Sequence, residues 1–174
     1  MTQGHRAAVL TLVLAASLAA APSVRADSSL FGAVAFPTGD LADVTTAGWS
    51  IGGYLTRDLA PRLDGGLLVA YTDFVVDTTQ PGGGAQFGPT LSAWEIEALG
   101  QLALAASIKA TVGVGIGNYS GRDERGQAER RTGFAWQLGV AYEIAPFELR
   151  LGYHQLHAEG GNAGWVGAAA GILF

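Results

Sequence analysis

The chain has 174 residues, ten of them basic and fifteen acidic, giving a formal net charge of −5, and it contains no cysteine. That balance lacks the basic footprint of a nucleic-acid-binding protein, and the missing thiol excludes disulfides, thiolate metal sites, cysteine nucleophiles and a cysteine-anchored lipoprotein. Twenty-six glycines without a strict period exclude collagen, and a 49% hydrophobic content argues against disorder.

The chain opens with MTQGHR, then runs apolar from Ala7 to Ala21, interrupted only by Thr11 and Ser17, and stops at Pro22. Val24 and Ala26 follow as small residues at the two positions a signal peptidase inspects. A charged start, an apolar core and a small-residue end describe a secretory signal peptide. The run is too short for a membrane helix, which needs roughly 20 residues. The expected organisation is therefore a signal peptide over residues 1–26 and one domain over residues 27–174. That domain keeps eight of the ten basic residues and all fifteen acids, a net charge of −7. No later stretch reaches the length of a membrane helix.

Eight segments of about ten residues follow, each with a period of two, the signature of a strand. They are Ser28–Phe36, Gly48–Arg57, Leu63–Phe74, Ala93–Leu102, Ile108–Tyr119, Thr132–Ile144, Phe147–His157 and Gly164–Phe174. Glycine and proline clusters separate them, including PTGDLADVTTA, PGGGAQFGP, SGRDERGQAERR, the turn at Ala145-Pro146, and AEGGN. The first, third, fifth and seventh connections are longer than the second, fourth and sixth. A transmembrane barrel shows that alternation, with short turns on one side and longer loops on the other.

The faces are cleanly divided. Phe134, Trp136, Leu138, Val140, Tyr142 and Ile144 share one face of the sixth segment, opposite Gln137 and Glu143. Phe147, Leu149, Leu151 and Tyr153 oppose Glu148, Arg150 and His154. Trp94, Ile96, Ala98 and Leu102 oppose Glu95, Glu97 and Gln101. A soluble sandwich turns its apolar face inward; a barrel in lipid turns it outward and keeps charge within. Trp49, Trp94, Trp136 and Trp165 fall near the starts of their strands, and Phe31, Tyr142, Phe147 and Phe174 near the opposite ends. Two aromatic girdles flanking an apolar band are expected from these positions. Since lipid offers no water to an open sheet edge, the sheet must close, the last segment pairing with the first. The expected fold is all-β: an eight-stranded antiparallel up-and-down transmembrane β-barrel.

The final segment, GWVGAAAGILF, with Ile172 and Phe174 on its outer face, resembles the carboxy-terminal assembly signal of bacterial outer-membrane barrels, with Ala169 where that signal usually has glycine. The opening hairpin, LFGAVAFPTGDLADVTTAGWSIGGYL, is similar to that of small OmpA/OmpX-type and opacity-type barrels. The resemblance implies a bacterial outer-membrane location. Its implied partners are membrane lipid, lipopolysaccharide and the barrel-assembly machinery, and an extracellular partner could be met through the loops. No cofactor is implied. The role it implies is structural or adhesive.

Eight strands enclose little more than their own side chains. The inward set Glu95, Glu97, Gln101, Gln137, Glu143, Glu148, Arg150 and His154 is therefore expected to form a hydrogen-bonded plug with Arg150 pairing the carboxylates; an ion path is the alternative. The size of the chain, and a histidine late in the seventh strand, also resemble the lipid A 3-O-deacylases. Their His-x-Ser pair is missing, because His154 is followed by Gln155-Leu156 and His157 by Ala158-Glu159. The loop histidine, aspartate and serine of the palmitoyl-transferring type do not carry over either. A metal held by His157 and Glu159 is a weak signal. Arg122, Arg125, Arg130 and Arg131 in GRDERGQAERR form a candidate surface-contact loop able to reach phosphates. The Gly-rich PGGGAQFGP lacks the Gly-Lys-Ser/Thr ending of a phosphate loop. A soluble secreted barrel holding a small apolar ligand is a further alternative, though its interior would then have to be apolar.

Overall fold

The last strand closes the sheet on the first. In the computed structural model, which describes residues 26–76, 90–122, 128–158 and 161–174, eight strands follow one another: β1 Ala26–Thr38, β2 Thr45–Ala60, β3 Leu63–Val76, β4 Thr90–Ala105, β5 Ile108–Arg122, β6 Ala128–Ile144, β7 Phe147–Ala158 and β8 Gly161–Leu173. Each pairs antiparallel with the next, and β8 pairs with β1 to complete a closed barrel. At the seam the Phe174 amide donates to the Ser28 carbonyl at 3.0 Å, while the Ser28 amide and hydroxyl both donate to the Phe174 carbonyl, at 3.2 and 2.9 Å. Closure leaves no edge among the paired strands, the condition a sheet must meet in hydrocarbon. No helix among the described residues is long and apolar enough to cross a membrane, which says nothing of the strands. The expected signal peptide lies outside the described residues.

The strands run from 12 to 17 residues, longer than the segments of about ten read from the sequence. The ladder continues beyond the apolar stretch because polar outward neighbours bond one another there. Ser92 and Ser120 are 3.0 Å apart across β4 and β5, and Asn118 donates to Thr132 at 2.9 Å across β5 and β6. The seventh connection accordingly shrinks: β7 runs to Ala158 and β8 resumes at Gly161. This corrects the expectation of a long seventh loop. The turns at 61–62, 106–107 and 145–146 are two residues each. Together they define one end of the barrel, the turn end; the connections after β1, β3, β5 and β7 define the loop end. In the first of these turns Arg62 takes a positive φ of 71°, and its side chain donates to the carbonyls of Ala103 and Leu104, both at 3.1 Å.

The barrel is inverted relative to a soluble protein. Ile51, Ile116, Leu138, Leu151 and Phe174 are each more than half exposed, whereas Glu95, Glu97, Gln101 and Glu148 are at most 1% exposed. Glycines make room for the charged interior. At Gly113 a Cβ would run into the Glu97 carboxylate and lie 2.8 Å from Gln137 Cγ; at Gly133 it would meet the carbonyl of His157.

Inside, the side chains form three storeys. At the loop end Leu41, Phe74, Val76, Leu91, Leu156 and Trp165 make an apolar layer with Ala35, Ala93, Ala135 and Ala163. Glu95, Glu97, Gln137, His154 and Arg150 occupy the middle, flanked by a second apolar group of Tyr54, Leu68, Ala70 and Leu99. Lys109 and its carboxylates lie at the turn end. The interior is therefore only partly polar, the expected polar set sharing it with two apolar groups. Inward positions near the loop end happen to carry leucine, phenylalanine and alanine.

Candidate functional site

The middle storey is built by alternation. Along β4, Trp94 and Ile96 point out, so Glu95 and Glu97 point in; along β7, Leu149, Leu151 and Tyr153 point out, so Glu148, Arg150 and His154 point in. Gln137 enters from β6, held at the pairing position opposite Gly113 on one side and His154 on the other. The structure thus brings the six predicted lumen residues into one interior.

Their bonds differ from the expected pattern. Gln137 Nε2 donates to Glu97 Oε2 at 2.5 Å, and the Tyr54 hydroxyl donates to Glu148 Oε2 at 2.5 Å. His154 Nδ1 lies 3.2 Å from Glu95 Oε2. Arg150 does not clamp the carboxylates. Its closest approach to Glu148 is 3.8 Å, and its guanidinium instead lies 4.7 Å from the Tyr54 ring centroid and 5.8 Å from that of Phe31. Rings of this kind attract a cation through their electron-rich faces, and here they compete with the carboxylates for Arg150. Several buried polar atoms have no hydrogen-bond partner within the protein: Glu95 Oε1, Glu97 Oε1, Glu148 Oε1, both amide atoms of Gln101, and the terminal nitrogens of Arg150. A cavity of about 30 Å³ opens among Ser50, Thr72, Thr111, Gln137, Arg150 and His154. It is large enough for one or two waters or a small ion.

Above this layer Trp165 stacks on His154, with ring centroids 5.3 Å apart and planes 6° apart, and meets Phe74 edge-on at 5.5 Å. Trp165 is 1% exposed. It is a lumen residue and not part of the outer girdle, because it shares the parity of Gly167 and Ala169. Phe31 is likewise turned inward, beneath Arg150. Toward the loop end the outer aromatics include Trp49, Trp94 and Trp136, joined by two tyrosines of matching parity, and Tyr142, Phe147 and Phe174 are exposed on the outer face toward the turn end. Tyr71 bridges Trp49 at 5.7 Å and Trp94 at 5.9 Å, and Tyr153 lies 5.6 Å from Trp136.

At the turn end Lys109 sits among three carboxylates, 2.8 Å from Glu143, 3.1 Å from Asp64 and 3.7 Å from Asp27. Sequence reasoning missed this hub, although Lys109 shares the inward parity of Thr111. It also missed Tyr54, whose parity with Ser50 and Thr56 was legible.

The two histidines of β7 lie three residues apart and so face opposite ways. His157 points outward; its Nε2 accepts from Trp136 Nε1 at 3.3 Å, so its Nδ1 donates to Asn162 Oδ1 at 2.8 Å. Among the described residues no serine or threonine hydroxyl bonds either histidine, and no group of acids and histidines could hold a metal. Glu159, suggested beside His157, lies outside the described residues.

The arginine cluster is redistributed. Arg122 pairs with Ala128 in the β5–β6 ladder, Arg130 with Ser120 and Arg131 with Tyr119. These three are strand residues, which corrects their assignment to a loop; Arg125, like the PGGGAQFGP stretch, lies outside the described residues. Arg130 is exposed on the outer face at the loop end.

No protein-family model matches the sequence, and none of the curated proteins is significantly similar to it. Solved structures are similar in fold. The N-terminal β-barrel domain of Pseudomonas aeruginosa OprF aligns with a TM-score of 0.59 at 10% identity, covering 85% of this chain and 97% of that one. Ail, the attachment invasion locus protein of Yersinia pestis, aligns at 0.57 and 13%, covering 86% and 97%. Neisserial surface protein A aligns at 0.56 and 17%, with the same coverage. Ail is described as an outer membrane protein and is also solved in a phospholipid bilayer nanodisc, at a TM-score of 0.54. At these identities the likeness concerns the fold.

Proposed function

We propose that the chain is a bacterial outer-membrane β-barrel with a shut lumen and a structural or surface-interaction role in the cell envelope. One observation carries this reading: a closed sheet presents a continuous apolar outer wall while Glu95, Glu97, Glu148 and Arg150 are enclosed. Water would reject that wall, whereas hydrocarbon accepts it. The outer Trp49–Tyr71–Trp94 group and the Trp136–Tyr153 pair suit the headgroup zone, where a ring with one polar edge is most stable. Residues 1–26 would direct export, the barrel-assembly machinery would insert the chain, and membrane lipid would surround it. Lipopolysaccharide and an extracellular partner would meet the loop end, where the exposed Arg130 offers a cation to phosphate. Among the described residues no hydroxyl bonds His154 or His157, and the sequence lacks the His-x-Ser pair, which favours this reading over a lipid A deacylase, because a hydrolase of that kind needs a histidine-activated nucleophile. A soluble apolar carrier fits poorly with a middle storey of carboxylates.

Membrane fractionation with a heat-modifiability gel tests the reading. The expected result is an outer-membrane-associated band that changes mobility only on boiling in detergent. A freely soluble protein in the culture supernatant would refute it.

A further inference from the structure

The storeys of the lumen follow an order, charged at the turn end, polar in the middle beside the apolar group of Tyr54, Leu68, Ala70 and Leu99, and apolar at the loop end. From the turn end the interior begins with Lys109, Asp64, Glu143 and the half-exposed Asp27. It continues through Glu148, Gln101 and Arg150 to Glu97 and Glu95, with the cavity of about 30 Å³ beside them. Three carboxylates face one guanidinium in this layer. Glu95 Oε1, Glu97 Oε1 and both amide atoms of the fully buried Gln101 are without protein partners. Beyond His154 the polar path stops at the Trp165 ring. Phe74, Leu91, Leu156 and Leu41 fill the bore past it.

We infer that the barrel is a gated cation channel held shut: Glu95, Glu97 and Glu148 form its selective layer, and the apolar storey around Trp165 and Leu41 is its gate. The inference rests on the membrane-spanning reading above. Rings of carboxylates favour cations over anions, and an apolar constriction excludes ions by shedding water. A hydrated ion meeting Trp165, Phe74 and Leu156 loses its shell and gains no replacement ligand there.

The gate has a part that can move without breaking the barrel. Leu41 belongs to the 3₁₀ turn Gly39–Leu41, outside the strand ladder; its carbonyl accepts from Thr45 Oγ1 at 2.7 Å and from the Val44 amide at 3.3 Å, and its side chain packs in the apolar storey. Withdrawing the 39–44 connection takes Leu41 out of this storey while all eight strand pairings persist, leaving Trp165, Phe74, Leu91 and Leu156 as the apolar side chains still in the bore. Trp165 is the fixed half of the gate, pinned between His154 and Phe74.

The test uses the full chain reconstituted into planar bilayers, with vesicle flotation and heat-modifiability measured on the same samples. Wild-type protein is expected to insert and stay silent. Leu41→Ser is expected to give brief openings, and Leu41→Ser with Trp165→Ala sustained current steps. In a potassium chloride gradient the reversal potential should favour potassium, and adding Glu95→Gln with Glu97→Gln should reduce that preference. Vesicle-borne, heat-modifiable variants that remain silent would overturn the channel while leaving the membrane reading intact. Chloride-preferring current, unchanged selectivity after the glutamine substitutions, or free conduction by the wild type would overturn it as well. Protein that fails to float with vesicles would refute the membrane reading and the channel together. Should Trp165→Ala prevent folding, Leu41→Ser decides alone, since it leaves every strand unchanged.

Discussion

Trp165 lies flat on His154, and the same imidazole bonds Glu95 on β4 through Nδ1 at 3.2 Å. One histidine thus joins the apolar storey to the charged one, across strands far apart in sequence. Trp165 is the largest fully buried side chain of the barrel.

Removing that ring should be costly. Trp165→Ala is expected to lower stability by about 3–5 kcal/mol, the usual range for deleting a buried aromatic side chain. Trp165→Phe, which keeps a ring over His154 and an edge toward Phe74, should recover most of the loss. Denaturant unfolding of refolded protein in detergent, followed by loss of the heat-modifiable band, measures both. Equal losses for the two variants would show that the stack contributes nothing beyond filled volume.

The outer wall gives a prediction of depth. Val140 is exposed on β6 between Leu138 and Tyr142, inside the outward apolar run from Phe134 to Ile144, and Thr132 is exposed beyond that run toward the loop end of the same strand. Val140→Arg should destabilise the inserted barrel by about 2–4 kcal/mol, and Thr132→Arg by about 0–1 kcal/mol. Unfolding of the two variants in lipid vesicles measures the contrast. Equal costs would place the apolar band elsewhere.

The inversion of the barrel was legible because a period of two assigns every strand residue to a face, and charges on one face opposed apolar residues on the other. Glu95, Glu97, Glu148 and Arg150 sit where that parity puts them. Trp165 was misplaced because its distance along the strand was weighed above its parity: it alternates with Val166 and belongs with Gly167. Leu41 was not readable at all. It lies in a connection, where no periodicity operates, and its burial depends on the bore left open by Ala35, Ala93 and Ala135. The partner of Arg150 was equally hidden, since parity reports a face but not which of several interior groups a long side chain selects.

Tolerance to an added methyl group should differ between the inward Gly113 of β5 and the outward Gly100 of β4. At Gly113 a methyl group would collide with Glu97 and approach Gln137, both members of one hydrogen bond. Gly113→Ala is expected to cost about 1–3 kcal/mol, the range for overpacking a filled interior. At Gly100 the nearest neighbour of an added methyl is Val112 Cγ1 at 3.4 Å, an ordinary contact. Gly100→Ala should therefore be close to neutral. Comparing their unfolding midpoints checks the assignment, and a neutral Gly113→Ala would show that Glu97 and Gln137 can move aside.

The turn end offers a prediction with a salt dependence. Lys109 is the cation that pairs with Asp27, Asp64 and Glu143, and its side chain is 12% exposed. Lys109→Met keeps the length of the side chain and removes the charge, leaving three carboxylates facing one another. The expected loss is about 2 kcal/mol, between the values for an exposed pair and for a buried one. Because the cluster borders solvent, added salt screens the remaining repulsion. The gap between wild type and Lys109→Met should narrow as sodium chloride is raised from low to molar concentration. A gap independent of salt would mean that Lys109 acts through packing of its aliphatic stem, and that the charges at this mouth are already screened by water.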